Sequence, residues 1–256
     1  MRCALLFITL LLLPLDGFSW GKRGHDVIAY IAECHLTTEA QARVAELLDG
    51  RSMVYVANWM DSASRTPKYK HTYPWHYFNM ELRDDVATAK RQRKGDLLSA
   101  AELLEQQLRD TSLPTEERTT ALKMYIHIIG DMHQPMHLGR SEDQGGGDLP
   151  VVYFTESTSL HAMWDYHIIE GSHSWSYSEW QQQIDRLSNE DEQTVVNGDY
   201  TKWLNETHTV TREVYRRTPA ETRVFYEYID HFAPTVEKQL LHAGLRLAKM
   251  LNLIFQ

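Results

Sequence analysis

His127 and Asp131 stand four residues apart in the stretch His127-Ile128-Ile129-Gly130-Asp131-Met132-His133-Gln134-Pro135-Met136-His137. On a helix that spacing projects both side chains from one face, one turn apart. Pro135 ends or bends the helix, so His137 leaves in a new direction. His161 and Asp165 repeat the four-residue spacing. Of the thirteen histidines, His25, His76, His127, His137 and His161 sit beside a plausible metal partner, with Asp61, Asp131 and Asp165 as the matching carboxylates. Imidazole and carboxylate without thiolate suit zinc in a hydrolytic site better than a structural zinc knot, and a carboxylate can bridge two cations. A lone histidine on a helix is more often a satisfied core or surface residue. Spacing alone leaves the two readings about level. His133, two residues after Asp131, points off the ligand face.

The elements that must position these groups read as helix after helix. A first helix covers about 24–34, with Val27, Ile28, Ile31 and Ala32 on one face, and a second follows Thr37-Thr38-Glu39. Residues 67–81, rich in aromatics, Pro and His, read as an irregular loop. Leu97, Ala101, Leu104 and Leu108 mark an amphipathic helix. The central helix starts near Pro114, with Glu116 and Glu117 suiting its dipole, and is apolar nearly all round. Gly145-Gly146-Gly147 is a loop, and 151–154 the one convincing strand. Helices follow at 159–170, 176–188, 199–217 and 221–231, and a last one starts after Pro234. The expected fold is all-α, a single multi-helix domain over 20–256 with at most a short β-hairpin.

Residues 1–19 differ from the rest. Arg2, the apolar run 4–13, Pro14, and Gly17 and Ser19 placed before Trp20 form a signal peptide cut ahead of Trp20. Its removal takes one Arg and one Asp, leaving 25 basic and 34 acidic residues and a net charge still of −9. Cys34 is then the only cysteine, so no intrachain disulfide can form. A disulfide-free exported chain of this size points to a bacterial periplasmic or secreted protein, against which the sequon Asn205-Glu206-Thr207 weighs weakly. No membrane anchor is expected after cleavage, and no protein partner is implied.

Several motifs in order give the chain a specific resemblance to the S1/P1 nuclease family, and a more distant one to the zinc phospholipases C of the same fold. They are Trp20-Gly21-x-x-Gly24-His25, Asn58-Trp59-Met60-Asp61, Trp75-His76-Tyr77, the stretch from His127 to His137, Gly145-Gly146, Leu160-His161-x-x-Trp164-Asp165 and Ala243-Gly244-Leu245-Arg246-Leu247-Ala248. The resemblance implies three zinc ions. One would be held by Asp61, His76, His127 and Asp131. A second would use the free α-amine and carbonyl of Trp20, His25 and a bridging Asp131. The third would take His137, His161 and Asp165.

What the resemblance implies further is an endonuclease and 3′-nucleotidase acting on single-stranded DNA, RNA and 3′-nucleotides, leaving 5′-phosphates. By that resemblance a metal-activated water would attack phosphorus in line, with Asp61 orienting it and Asp131, as a bridging ligand, the second catalytic carboxylate. A chain at −9 lacks the usual basic footprint of a nucleic-acid binder. Three divalent ions less three aspartates nevertheless leave the cleft at about +3. Tyr77 is the candidate for stacking on an unpaired base. Arg65, Asn79 and Gly146 complete the substrate-binding candidates. Asn79 replaces a usual aspartate, Gly147 a usual asparagine, and Arg65 comes one place late for the family's basic residue. The alternatives are a phospholipase C-type phosphodiesterase, disfavoured by aspartate rather than glutamate at Asp165, and a non-catalytic zinc-binding protein.

Overall fold

A computed structural model describes residues 20–256; the signal-peptide expectation for 1–19 lies outside the described residues. The helices are α1 (Lys22–Cys34), α2 (Thr38–Leu47), α3 (Trp59–Ala63), α4 (Leu97–Arg109), α5 (Thr115–Asp131), α6 (Leu160–Ala162), α7 (Ile168–Ser172), α8 (Tyr177–Ile184), α9 (Asn189–Val196), α10 (Tyr200–Arg217) and α11 (Tyr226–Ile254). The strands are β1 (Pro150–Tyr153), β2 (Glu156–Ser159) and β3 (Thr222–Val224). The all-α expectation holds. None of the described helices is long and apolar enough to cross a membrane.

α5 is the axis of the site. Tyr125, Ile126, Ile128 and Ile129 are all buried, so the helix is enclosed on every side along its second half. Each such isoleucine contributes roughly 1.5–3 kcal/mol of burial, set against the entropy of ordering it. That enclosure forces His127 and Asp131, both at 0% exposure, to find partners inside the protein. α4 packs on α5 after a capping box in which Asp96 accepts the Ser99 N–H at 3.0 Å and Ser99 Oγ accepts the Asp96 N–H at 2.9 Å. α1 lies against α11, α5 and α8 and brings His25 inward on its buried face.

The chain departs from expectation in four places. Residues 67–81 hold a 3₁₀ segment, Lys70–His76. α3 and α9 appear where no helix is expected, α9 capped by Ser188 at the Asp191 N–H. The sheet has one strand beyond the hairpin: β1 pairs antiparallel with β2 and parallel with β3, in the order β2-β1-β3. Thr222 and Val224, expected in a helix, lie opposite Val151 and Tyr153, where branched side chains suit a pleated surface. Finally, α11 runs unbroken through Pro234. The proline forfeits one N–H, and the buried stripe Val236, Leu240, Ala243, Leu247 and Leu251 carries the helix onward.

Candidate metal centre

Seven segments deliver the predicted ligands to one place. α1 supplies His25, α3 Asp61, the 3₁₀ segment ending at His76 its last residue, and α5 both His127 and Asp131. A second 3₁₀ turn, Pro135–Leu138, redirects the chain after α5 and presents His137. α6 carries His161, and a π-helical turn, Met163–His167, carries Asp165. Such widened turns are frequent at functional sites.

Asp131 is the hub. Its Oδ1 lies 3.3 Å from His25 Nε2 and 3.7 Å from His137 Nδ1, and its Oδ2 lies 2.9 Å from His76 Nδ1 and 3.4 Å from His127 Nε2. His127 Nε2 is also 3.3 Å from Asp61 Oδ1. Across the cluster His161 Nε2 sits 3.2 Å from Asp165 Oδ2, and His137 Nε2 sits 3.9 Å from Asp165 Oδ1. Three groups of possible ligand atoms result: His25, His127 and Asp131; Asp61, His76 and His127; and His137, His161 and Asp165. The first two share His127, so the pair adjoin.

Backbone carbonyls set the imidazole tautomers. His127 Nδ1 donates to Ala57 O at 2.8 Å, His137 Nδ1 to His76 O at 2.6 Å and His161 Nδ1 to Gly145 O at 3.0 Å. A carbonyl only accepts, so each Nδ1 holds a proton and each Nε2 is turned toward the cluster. Gly145 makes this possible with a backbone φ of +65°, and a Cβ there would collide with Met136 O. The loop is held by Asp143, whose Oδ1 accepts the Gly146 N–H at 3.0 Å and the Tyr215 hydroxyl at 2.8 Å.

The electrostatics match a cation-binding pocket. Burial pushes the His137 imidazole down to about 3, which keeps it neutral with its lone pair available. Burial also opposes charge on His127, but Asp131 and Asp61 outweigh it and raise that imidazole to about 9. Burial likewise opposes ionisation of Asp131, yet His127 and His137 lead the neighbours that hold it well below the usual carboxylate range. The pocket therefore demands positive charge, and in this chain alone a proton on His127 answers it.

The donor set fits zinc on direct observation. His76 Nε2, His137 Nε2, His161 Nε2, Asp131 Oδ1 and Asp165 Oδ2 are buried without a hydrogen bond. The His161–Asp165 approach brings two acceptor atoms together without hydrogen-bond geometry. Buried polar atoms left so are costly, and a shared divalent ion would satisfy several at once. A fourth group, His35, Asp185 and Glu192, is only half-buried, and its imidazole already bonds Asp185 Oδ2 at 2.9 Å.

The other predicted residues fall around this cluster. Trp20 is fully buried, and its neighbour Gly21 donates its N–H to the Asp165 carbonyl at 2.5 Å, so the first described residues lie beside the site. The Tyr77 ring lies 5.1 Å from His137 and 6.4 Å from His161. Asn79 sits between two backbone bonds, Phe78 N to His137 O and Met80 N to Gly139 O. Gly146 is buried and its N–H is committed to Asp143. Arg65 is exposed and lines a neighbouring cleft rather than the cluster. His133 turns away: its Nδ1 donates to Ile129 O at 2.8 Å and its Nε2 faces Arg246 Nη1 at 3.0 Å.

Sequence reasoning missed Gln134 and Asp143. Gln134 is fully buried, donates Nε2–H to Asp165 Oδ1 and accepts the Met136 N–H, locking the Asp165 carboxylate to the turn that carries His137. Its only signal was a polar residue between His133 and Pro135 in an otherwise buried stretch.

Comparison with known proteins agrees with this geometry. The S1/P1 Nuclease family model matches residues 20–256. The chain is 29% identical to Endonuclease 4 of Arabidopsis thaliana, over 92% of this chain and 89% of that protein. It is 26% identical to Nuclease S1 of Aspergillus oryzae (93% and 92% covered) and 26% identical to Nuclease P1 of Penicillium citrinum (91% and 97% covered). The chain belongs to the S1/P1 nuclease family, whose members are hydrolases of phosphodiester bonds.

Proposed function

We propose that residues 20–256 form an exported zinc-dependent endonuclease and 3′-nucleotidase, freed from a signal peptide at 1–19. It cuts single-stranded DNA and RNA at the 3′ oxygen and leaves 5′-phosphates. The observation that carries this reading is the convergence of four imidazoles on Asp131, with Asp61 on one of them and His161 and Asp165 joined through His137, and buried polar atoms left without hydrogen bonds.

Three zinc ions are the expected complement. Asp61, His76, His127 and Asp131 would hold one, and His25, Asp131 and the Trp20 amine and carbonyl a second. His137, His161 and Asp165 would hold the third. Zinc bound there supplies Lewis-acid stabilisation of phosphoryl oxygens and eases deprotonation of water near neutral pH.

The chain's own groups do the rest. Burial works against ionisation of Asp61, but the adjacent His127 leads its net shift below the usual carboxylate range, so it is charged at neutral pH. Its side chain keeps 19% exposure, against 0% for Asp131, which suits it to orient an incoming water. Asp131 stays enclosed and fixes the surrounding imidazoles. Tyr77 offers a face for an unstacked base beside His137 and His161, which a duplex cannot present. Asn79 can donate and accept at a base edge and Arg65 meets backbone phosphate, while Gly146, packed against Leu160 and Met136, shapes the loop beside the substrate.

The test is hydrolysis by processed, zinc-loaded protein of single-stranded DNA, RNA, a 3′-mononucleotide and phosphatidylcholine. Cleavage of the nucleic acids with 5′-phosphate ends is the expected result. Activity on the lipid alone, or zinc-dependent stability with no turnover, would contradict it.

A further inference from the structure

Next to the metal cluster lies a cleft of about 1130 Å³, lined among others by Ser64, Arg65, Lys70, Tyr73, Trp75 and Lys94. Among the described residues no acidic side chain lines it, although the chain as a whole carries −9. Three cationic side chains from separate segments meet there. Arg65 follows α3, Lys70 opens the 3₁₀ segment that ends at His76, and Lys94 comes from the loop before α4. All three residues are exposed.

The cleft adjoins the candidate site through Tyr73. Tyr73 is 49% exposed, and its ring lies 6.0 Å from Tyr77 and 6.5 Å from His76. Tyr77 in turn faces His137. An aromatic path therefore leads from the cluster into the basic cleft. Trp75, edge-on to His71 at 5.6 Å, stiffens the wall. Interleaved cations and exposed aromatics are the chemistry that tracks a single nucleic-acid strand, cations on phosphates and rings under bases.

We propose that this cleft holds the strand beyond the scissile phosphodiester, with Lys70 and Lys94 on backbone phosphates and Tyr73 under an adjoining base. This assignment rests on the nuclease reading and extends it: oligonucleotides gain contacts that a mononucleotide is too short to make. The enzyme then discriminates by strand length, through KM, at ordinary salt.

The test compares processed, zinc-loaded wild-type protein with a Lys70→Ala/Lys94→Ala double variant and with Tyr73→Ala. Substrates are a single-stranded oligonucleotide of about ten residues and a 3′-mononucleotide. In the double variant the oligonucleotide KM rises about tenfold at low salt with kcat held. The slope of log kcat/KM against log salt becomes shallower by about 1.4, two phosphate contacts at ~0.7 each. Tyr73→Ala weakens oligonucleotide binding at least fivefold. Mononucleotide kcat/KM stays within twofold in all three proteins. An unchanged oligonucleotide KM and salt slope, or an equal loss on both substrates, overturns the assignment. Anisotropy of a labelled oligonucleotide separates this from the nuclease reading. Lysine-dependent binding without cleavage of either ester would sink the nuclease and keep the cleft; lysine-independent binding would sink the cleft whatever the activity.

Discussion

The His25 ring lies flat on His127, with centroids 3.9 Å apart and planes 13° from parallel. Gly130 of α5 leaves the room: a Cβ there would sit 2.8 Å from His25 Nδ1. Gly130→Ala is therefore expected to push His25 off its stack while leaving α5 intact, since alanine favours helix. Zinc content should fall by about one ion of the ~3 expected, with at least a tenfold loss of kcat/KM. Elemental analysis alongside circular dichroism checks this; full zinc content with native activity would show that the ring has slack.

Gln134 holds Asp165 through a hydrogen bond from its side-chain amide. Gln134→Ala removes the donor and leaves the carboxylate to move. Removing a partner of a metal-binding side chain typically costs ~10–100-fold in affinity. Titration with a chelator, following the loss of the most weakly held ion, should show that shift, and Gln134→Glu, which cannot donate when ionised, should not rescue it.

His35 and Asp185 join the end of α1 to the end of α8, Nε2 to Oδ2 at 2.9 Å. The Asp185 bond raises His35 above its ordinary 6.5, while burial opposes it. Burial works to raise Asp185, but the His35 bond wins and takes it below its ordinary 3.8. His35 thus contributes stability fully below pH 6.5, lost as pH rises through its raised value. The Asp185 contribution is present above 3.8 and fades as pH falls through its depressed value. His35→Gln should cost about 0.5–1 kcal/mol near pH ~5.5 and almost nothing near pH ~9, a pH dependence that urea unfolding of both chains resolves. A pH-independent cost would mean that packing, not charge, is lost.

Trp20 stands beside the cluster, with Gly21 bound to the Asp165 carbonyl. An amide nitrogen is a poor metal ligand where a free amine is a good one. A mature chain carrying one extra residue ahead of Trp20 should lose at least tenfold in kcat/KM, with a lower zinc content. Native activity in the extended chain would show that the amine is dispensable.

The parts legible in the sequence were those governed by local rules. The spacing of His127 with Asp131 and of His161 with Asp165 places each pair together, and Pro135 turns the chain so that His137 joins them. The helices expected after Thr37 and at 199–217 form there, capped by Thr37 and Asp199. What stayed hidden depends on tertiary surroundings. α9 buries none of its residues and so shows no apolar stripe, and β3 has three residues, too few for a period. Gln134 and Asp143 act through neighbours more than ten residues distant or through a glycine loop, and no spacing rule marks them. The family resemblance supplied an expectation that spacing could not, namely which imidazole would share an ion with which carboxylate.

Asp131 touches four imidazoles within 3.7 Å, so the account stands or falls on it. The decisive measurement is zinc per chain and single-strand cleavage in Asp131→Asn, on processed protein with folding verified by circular dichroism. The account predicts loss of at least one of the ~3 ions and a fall in kcat of at least about a thousandfold, because the carboxylate charge proposed to serve two ions is gone. Wild-type zinc content with cleavage preserved would contradict it.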